Sequence, residues 1–297
     1  MNDESVYDGL LGGDSSQWAF GTDFEDPLAG VDTTVPAGID ATELAVYCLM
    51  LGDDTLVLSQ RLSEWCSRAP ELEEDIALAN FALDLLGQAR LLLARAAAAD
   101  PSIVPPLPEG SPVPAEDALA YFREAGQFRN VRMAEVPNGD FAHVVVRLLL
   151  FSIARLAVLQ RLRGSADAVL AAVAAKGVKE LAYHRDWAGR WFVTLALGTD
   201  ESRRRLLTAL EQLWPLHDEL FTAHPIEKSL AAAVDPGEVR AEADAVLDQV
   251  LAVAEVERPE PIGTRGRTGR DGLHTEALSL MLAEMQVVAR AHPMGLW

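Results

Sequence analysis

Three spacings in this chain place an acidic residue and a histidine close together: Glu180 with His184, Asp140 with His143, and Asp271 with His274. On a helix, positions i and i+3 or i+4 share a face, so such a pair could ligate one metal ion. The fullest form of that chemistry is a bundle in which four helices each project a carboxylate inward and two of them carry Glu-x-x-His, holding a metal pair. Glu-x-x-His occurs nowhere in this sequence. Asp140 follows Pro137-Asn138-Gly139, where a turn ends and a helix begins, so it reads as an N-cap and His143 as a surface residue. Asp271-Gly272-Leu273-His274 closes a glycine-rich loop and also reads as a cap. His184, beside Lys179, Glu180, Arg185 and Asp186, reads as a satisfied polar histidine in a solvated stretch. His217, His224 and His292 have no acidic residue three positions before them.

Other chemistries find no footing. There is no serine nucleophile elbow, P-loop or dinucleotide fingerprint; Gly9-Leu10-Leu11-Gly12-Gly13 lacks the flanking strand and helix that a phosphate cradle needs. Arg203-Arg204-Arg205 reads as a solvated face or a protein contact. Trp187, Trp191 and Phe192 read as core or interface. Cys48 and Cys66 have neither disulfide nor zinc spacing and read as buried free thiols in a reducing compartment. No catalytic, cofactor-binding or metal site is assigned from the residues alone.

The elements that would position any site are helical. Residues 1–38 are acidic, with glycines, serines and a few aromatics, and are expected to be a disordered tail; Trp18, Phe20 and Phe24 leave open a docking arm. Residues 39–297 read as one helical domain. Ile39 to Cys66 has helical periodicity interrupted at Gly52-Asp53-Asp54-Thr55, either one irregular helix or two that abut. A second long helix runs from Pro70 to about Ala99, its first turn rich in carboxylates that suit the dipole. Its apolar residues Ile76, Ala79, Leu83 and Leu86 recur at helical spacing, and apolar residues fill much of the remaining turn, which predicts burial on most sides. Six prolines between Pro101 and Pro114 make a crossing. Third and fourth long helices span about Asp140 to Arg163 and Ala166 to Ala196. A fifth covers about Ser202 to Phe221, another Val239 to Glu257, and a last one Leu273 to Ala291, after a loop from Pro259 to Gly272. Strand patterning is absent. Two long helix hairpins predict an all-α four-helix bundle with a crossover and peripheral helices.

Formal net charge of −20 argues against a nucleic-acid partner. No run of 18 consecutive apolar residues and no basic leader followed by an apolar run is seen, so no membrane span or signal peptide is expected, and a cytoplasmic location is.

Longer motifs carry a resemblance. Leu51-Gly52-Asp53-Asp54, Gln60 to Trp65, Glu73 to Asn80 and Asp84 to Arg90 resemble the C-subunit family of phenylacetyl-CoA epoxidase, an oxygenase. So do Phe128-Arg129-Asn130, Pro137 to Ala142, Lys179-Glu180 with Tyr183-His184, Gly198-Thr199 with Glu201-Ser202, and Glu284-Met285-Gln286. The resemblance spans residues 40 to 295. It implies a ferritin-like bundle that pairs with a catalytic A subunit holding a di-iron centre, beside B and reductase subunits, and is itself structural, without a cofactor. Aligned through Trp65, Arg68, Ala69, Pro70 and Leu72, the A-type Glu-x-x-His falls on Leu85 and Gln88. Aligned through His184 and Gly198, the second falls on Leu181 and His184. The remaining carboxylate positions fall near Thr55 and Ser152. Asp53, Asp54, Asp84 and Gln88 are left as a possible residual polar network facing the bundle interior. An enzyme reading would need metal held by Asp54, Asp84, Gln88 and His184. A stand-alone ferritin-like metal- or ligand-binding protein is the remaining alternative. A contact with the CoA moiety at the subunit boundary stays open.

Overall fold

The chain, described by a computed structural model over residues 28, 30–264 and 266–295, contains no strand among the described residues. Asp40 starts the first helix, α1 (Ala41–Ser63), by accepting the Glu43 N–H at 2.9 Å. The helix is continuous through Gly52-Asp53-Asp54-Thr55, and every residue from Tyr47 to Ser59 is buried. Gly52 lets α1 lie close to the next helix: a Cβ there would stand 3.1 Å from the Leu93 side chain, which would have to give way. A turn at residues 64–71 reverses the chain. Ser67 adopts a left-handed backbone in it, with φ of 68°, and its N–H donates to Asp75 at 2.7 Å. α2 (Leu72–Ala99) then packs antiparallel to α1 along most of its length.

The proline-rich crossing leads through α3 (Ala115–Tyr121) and α4 (Arg132–Glu135) to the second hairpin. Asp140 caps α5 (Phe141–Leu162), accepting from the His143 N–H at 3.1 Å, as its sequence context predicts. Residues Ala142 to Leu159 are buried without exception. α6 (Ala168–Leu197) returns against α5 and also touches α2. Gly177 lets these three helices approach: a Cβ would lie 2.8 Å from Leu159 of α5 and 3.2 Å from Gln88 of α2.

Peripheral helices cover α1 and α5. Thr199 and Ser202 form a capping box that opens α7 (Asp200–Leu213), and a 3₁₀ segment at Trp214–Phe221 continues it, so the expected fifth helix changes pitch at Trp214. α8 (Pro225–Ser229) and α9 (Arg240–Val253) follow. The expected last helix is two short ones, α10 (Glu276–Met285) and α11 (Val287–Ala291), divided at Gln286. The buried Gln286 amide donates to the Ala120 and Arg123 carbonyls at 3.0 and 3.1 Å. The fold is the all-α, ferritin-like bundle with added peripheral helices.

Four expectations need correction. The packed chain starts before residue 39: Val31 and Val35 lie against the core, and Arg95 donates to the Thr33 carbonyl at 2.6 Å. The tail expected over residues 1–27, with Trp18, Phe20 and Phe24, lies outside the described residues. Cys66 is exposed in the 64–71 turn, whereas Cys48 is buried. His143 is buried rather than superficial, because α7 covers the start of α5. Finally, the core face of α2 is Leu78, Phe81, Ala82, Leu85 and Leu92, while Leu72, Ile76, Leu83 and Leu86 are 69%, 53%, 64% and 42% exposed. The helix is apolar on both sides, so periodicity alone could not say which side meets a neighbour.

α2 and α5 are each long and apolar enough to cross a membrane by length and composition. The apolar window of α5 is wholly buried inside the protein, which accounts for its composition; that of α2 is 44% buried.

Candidate functional site

The six positions aligned with di-iron ligands occupy the four bundle helices: Thr55 on α1, Leu85 and Gln88 on α2, Ser152 on α5, Leu181 and His184 on α6. All six are wholly buried. Leu85 and Leu181 offer only hydrocarbon. The Thr55 hydroxyl donates backward to the Gly52 carbonyl at 2.9 Å, a bond internal to α1.

Gln88 and His184 meet the opposite helix. The Gln88 amide donates to Glu180 at 2.8 Å, and Glu180 also pairs with Lys176 at 3.0 Å. His184 Nε2 lies 3.0 Å from the half-exposed Asp84 carboxylate. A carboxylate accepts, so the ring proton sits on Nε2. The ring packs at 4.2 Å from Phe81 in an aromatic cluster with Trp187. His184 is therefore enclosed, not solvated as its charged neighbours suggest; those neighbours point outward from a helix whose fourth residue points in. Gln88 Oε1, Ser152 Oγ and His184 Nδ1 are buried and find no partner among the described residues.

Asp53 and Asp54 belong to separate arrangements from Asp84 and Gln88. Asp53 accepts both terminal nitrogens of Arg123 and the Arg129 N–H at 2.8 Å. Asp54 accepts Arg270 through both oxygens, at 3.0 and 2.8 Å, and the Val131 N–H at 2.8 Å. Arg155 of α5 stands 3.8 Å away and donates to the Leu51 carbonyl at 3.0 Å. These carboxylates fasten the chain around residues 123–131 and 270 onto α1. A third buried set lies alongside. Glu135 accepts Asn130 at 2.8 Å and His274 Nδ1 at 2.7 Å, and His274 Nε2 donates to the Phe128 carbonyl at 2.9 Å. Burial is the largest single influence on His274 and works against its charge, but the Glu135 bond and charge together with the Phe128 carbonyl and the Asp53 charge outweigh it and raise the ring above its ordinary value. Bonds to acceptors on both nitrogens fit an imidazolium.

Sequence reasoning missed Glu135, Arg123, Arg155 and Arg270. Their signal is faint: Arg155 is a charge inside an otherwise apolar helix, Glu135 ends a single-turn helix, and Arg123 and Arg270 stand in connecting segments that read as solvent-exposed.

Two shallow cavities lie elsewhere. One of about 270 Å³ is lined by Asp140, His143, Arg204 and Arg205, and its two arginines are bound to Glu201. The run Arg203–Arg205 is thus engaged locally, Arg204 and Arg205 by the Glu201 carboxylate and Arg203 by the Ala196 and Glu255 carbonyls. The other, of about 430 Å³, lies between α7 and the chain at 257–262. Neither includes any of the six bundle positions. Among the described residues, no three histidine, cysteine or acidic side chains converge as a metal-holding group.

The family model described as "Phenylacetic acid catabolic protein" matches residues 31–297. The chain belongs to the phenylacetic acid catabolic protein family. It is also similar to the C subunit of 1,2-phenylacetyl-CoA epoxidase from Escherichia coli (strain K12), at 42% identity over 258 residues, covering 86% of this chain and 99% of that one. The resemblance read from the motifs at residues 51–90, 128–142 and 179–202 is met by both comparisons, and the all-helical architecture agrees with it.

Proposed function

We propose that this chain is a non-catalytic subunit of a multicomponent di-iron oxygenase, a phenylacetyl-CoA epoxidase acting in aerobic phenylacetate catabolism in the cytoplasm. In this reading a catalytic partner of the same fold pairs with it and carries the iron, while further subunits, one of them a reductase, complete the complex. The observation that carries the reading is the chemistry of the bundle interior. Leu85 and Leu181, where the aligned motif has glutamates, are buried hydrocarbon, and leucine cannot ligate iron. The remaining donors are neutral or already engaged: Thr55 with its own helix, His184 with Asp84. Such a set does not fit a di-iron pair, whose charge needs several carboxylates. No step of the reaction is assigned to this chain. Its contribution is a rigid scaffold, fastened by the Asp53, Asp54 and Glu135 clusters, against which a catalytic bundle is held.

Iron quantification tests this, on the chain alone and after co-expression with a catalytic partner. The expected outcome is iron-free protein alone and an iron-loaded complex that oxygenates phenylacetyl-CoA. Near-stoichiometric iron on this chain alone would overturn the reading. It would favour a stand-alone metal- or ligand-binding bundle, for which the unpartnered Gln88, Ser152 and His184 atoms are the one supporting observation.

A further inference from the structure

Aromatic rings lie in file along one side of the bundle, and the oxidisable ones among them are spaced as a path. Phe81 of α2 holds Tyr183 and Trp187 of α6 edge-on, with ring centroids at 5.6 and 5.4 Å. Trp187 and Trp191 lie 6.3 Å apart on α6. Phe141, at the start of α5, packs edge-on against both, at 6.1 and 5.0 Å, and against Trp65 at 6.2 Å. The file thus runs from the middle of the bundle, where Phe81 also packs on His184, to the 64–71 turn. Three of the chain's six tryptophans are in it. Core packing asks for apolar rings, but not for the two most readily oxidised ring types in series. The ends differ: Tyr183 is 55% exposed, whereas Trp65 and Trp187 are buried. The indole N–H groups differ as well. That of Trp187 donates to the Glu74 carboxylate at 2.8 Å. That of Trp65 is buried and finds no acceptor among the described residues.

We propose that this file is a one-electron path that carries an oxidising equivalent along the bundle and leaves it on Tyr183. The oxidant, by class an oxygen-derived radical, takes one electron from Trp191 or Trp65 and is reduced. The indole radical cation it leaves is refilled by an electron from the next oxidisable ring. Phe81 and Phe141 are not oxidised; they fill the gaps, so each electron crosses close-packed protein rather than water. An oxidised indole is a strong acid at its N–H, and the fate of that proton decides where the hole rests. Trp65 has no acceptor, so its proton stays and the hole moves on. At Trp187 the proton crosses to Glu74, giving a neutral radical. Tyr183 then supplies an electron to Trp187, and the proton returns from Glu74 to the indole nitrogen. Exposed Tyr183 loses its own phenolic proton to water and ends as a neutral phenoxyl radical. A thiol-class reductant in solution restores it by giving one hydrogen atom. The path thus moves damage from buried indoles to a surface phenol that can be repaired. The proposal does not depend on the oxygenase reading.

The test attaches a ruthenium polypyridyl photo-oxidant to Cys66 of the full chain, the exposed thiol next to Trp65; Cys48 is buried and stays unlabelled. A laser flash with a soluble electron acceptor makes ruthenium(III), which takes one electron from Trp65. The expected result is the transient absorption of a tyrosyl radical, lost in Tyr183→Phe, where a tryptophanyl radical persists instead. In that background the persisting radical is expected in its neutral form. Adding Glu74→Gln is expected to shift it to the radical-cation spectrum, a change that a merely structural Glu74 would not produce. Trp187→Phe is expected to slow formation of the tyrosyl radical by about an order of magnitude. Tyr183→Phe and Glu74→Gln alter side chains outside the core and decide the matter should Trp187→Phe fail to fold. A hole that never reaches a tyrosine would overturn the proposal, as would a tyrosyl signal undiminished in Tyr183→Phe. So would a tyrosyl rate indifferent to Trp187→Phe, or a tryptophanyl spectrum indifferent to Glu74→Gln.

Discussion

Asp53 and Asp54 are consecutive on α1, and consecutive helical residues point about 100° apart. Each therefore reaches a different guanidinium: Asp53 meets Arg123, and Asp54 meets Arg270. Both pairs are buried and bidentate, with backbone N–H groups taking up remaining lone pairs, so the charges are satisfied as burial demands. Removing one partner leaves the other charged and dry. Arg270→Ala is expected to destabilise the fold by about 3–5 kcal/mol in urea denaturation, while a substitution at exposed Arg185 should have little effect. The histidines set the pH dependence. Burial holds His143 and His217 down to about 4, against 6.5 for the free ring. The unfolded chain binds more protons between those values, so their contribution is complete above pH 6.5 and lost as pH falls toward 4. His274 is raised, so its contribution is complete below 6.5 and lost as pH rises through its folded value. His217→Gln is expected to flatten the acid side of the stability profile and His274→Gln the alkaline side.

The turn at Gly269–Asp271 delivers Arg270 to Asp54 and works only because it lies directly on the 130 region. A Cβ on Gly269 would stand 1.9 Å from the Asn130 carbonyl oxygen, a backbone atom that cannot step aside. The Gly269 N–H also donates to buried Glu219 at 2.9 Å. Gly269→Ala should thus push the whole turn off α1 and cost as much as losing Arg270 itself, read as coincident falls in denaturation midpoint for the two variants. Gly177 poses a milder problem. Its nearest obstacles are the ends of the Leu159 and Gln88 side chains, which can rotate, so Gly177→Ala is expected to cost about 1–3 kcal/mol of overpacking without changing the fold. The two faces of α2 divide in the same way. Leu85 belongs to the core, and Leu85→Ala should cost about 2–5 kcal/mol. Leu83 faces out, and its truncation should leave the unfolding free energy of the single chain nearly unchanged.

Across the whole molecule, the burial of α1 and α5 on all sides leaves α2 and α6 as the bundle helices with open faces. The three buried ion clusters lie on the α1 and α5 side, as do most of the peripheral helices, while α3 packs on one edge of α2 and α7 and α9 reach α6. That asymmetry suits a scaffold: one side is fixed internally, and the other is available for association. It also explains why α5 and α2 share a membrane-like composition for different reasons, complete enclosure in one case and an apolar outer seam in the other.

Much of this was legible from the residues in order. Proline, glycine and capping residues placed the two hairpins and the crossing, because these act through local backbone geometry that a sequence displays directly. Asp140 and Thr199 open their helices as their types predict. The absence of Glu-x-x-His, and the leucines at 85 and 181, could be read without a structure. Partnership could not. Whether Ile76 or Leu78 faces the core depends on where α1 and α6 lie, and α2 is apolar on both sides. The pairing of Asp54 with Arg270 spans 216 positions, and no local signal marks an arginine in a glycine-rich loop as destined for the interior. His184 and His274 read as solvated or capping residues because their sequence neighbours are polar, and His143 reads as superficial because it lies in the first turn after an N-cap. The tertiary structure buries them, since a helix directs adjacent residues to opposite environments and only packing decides which is dry.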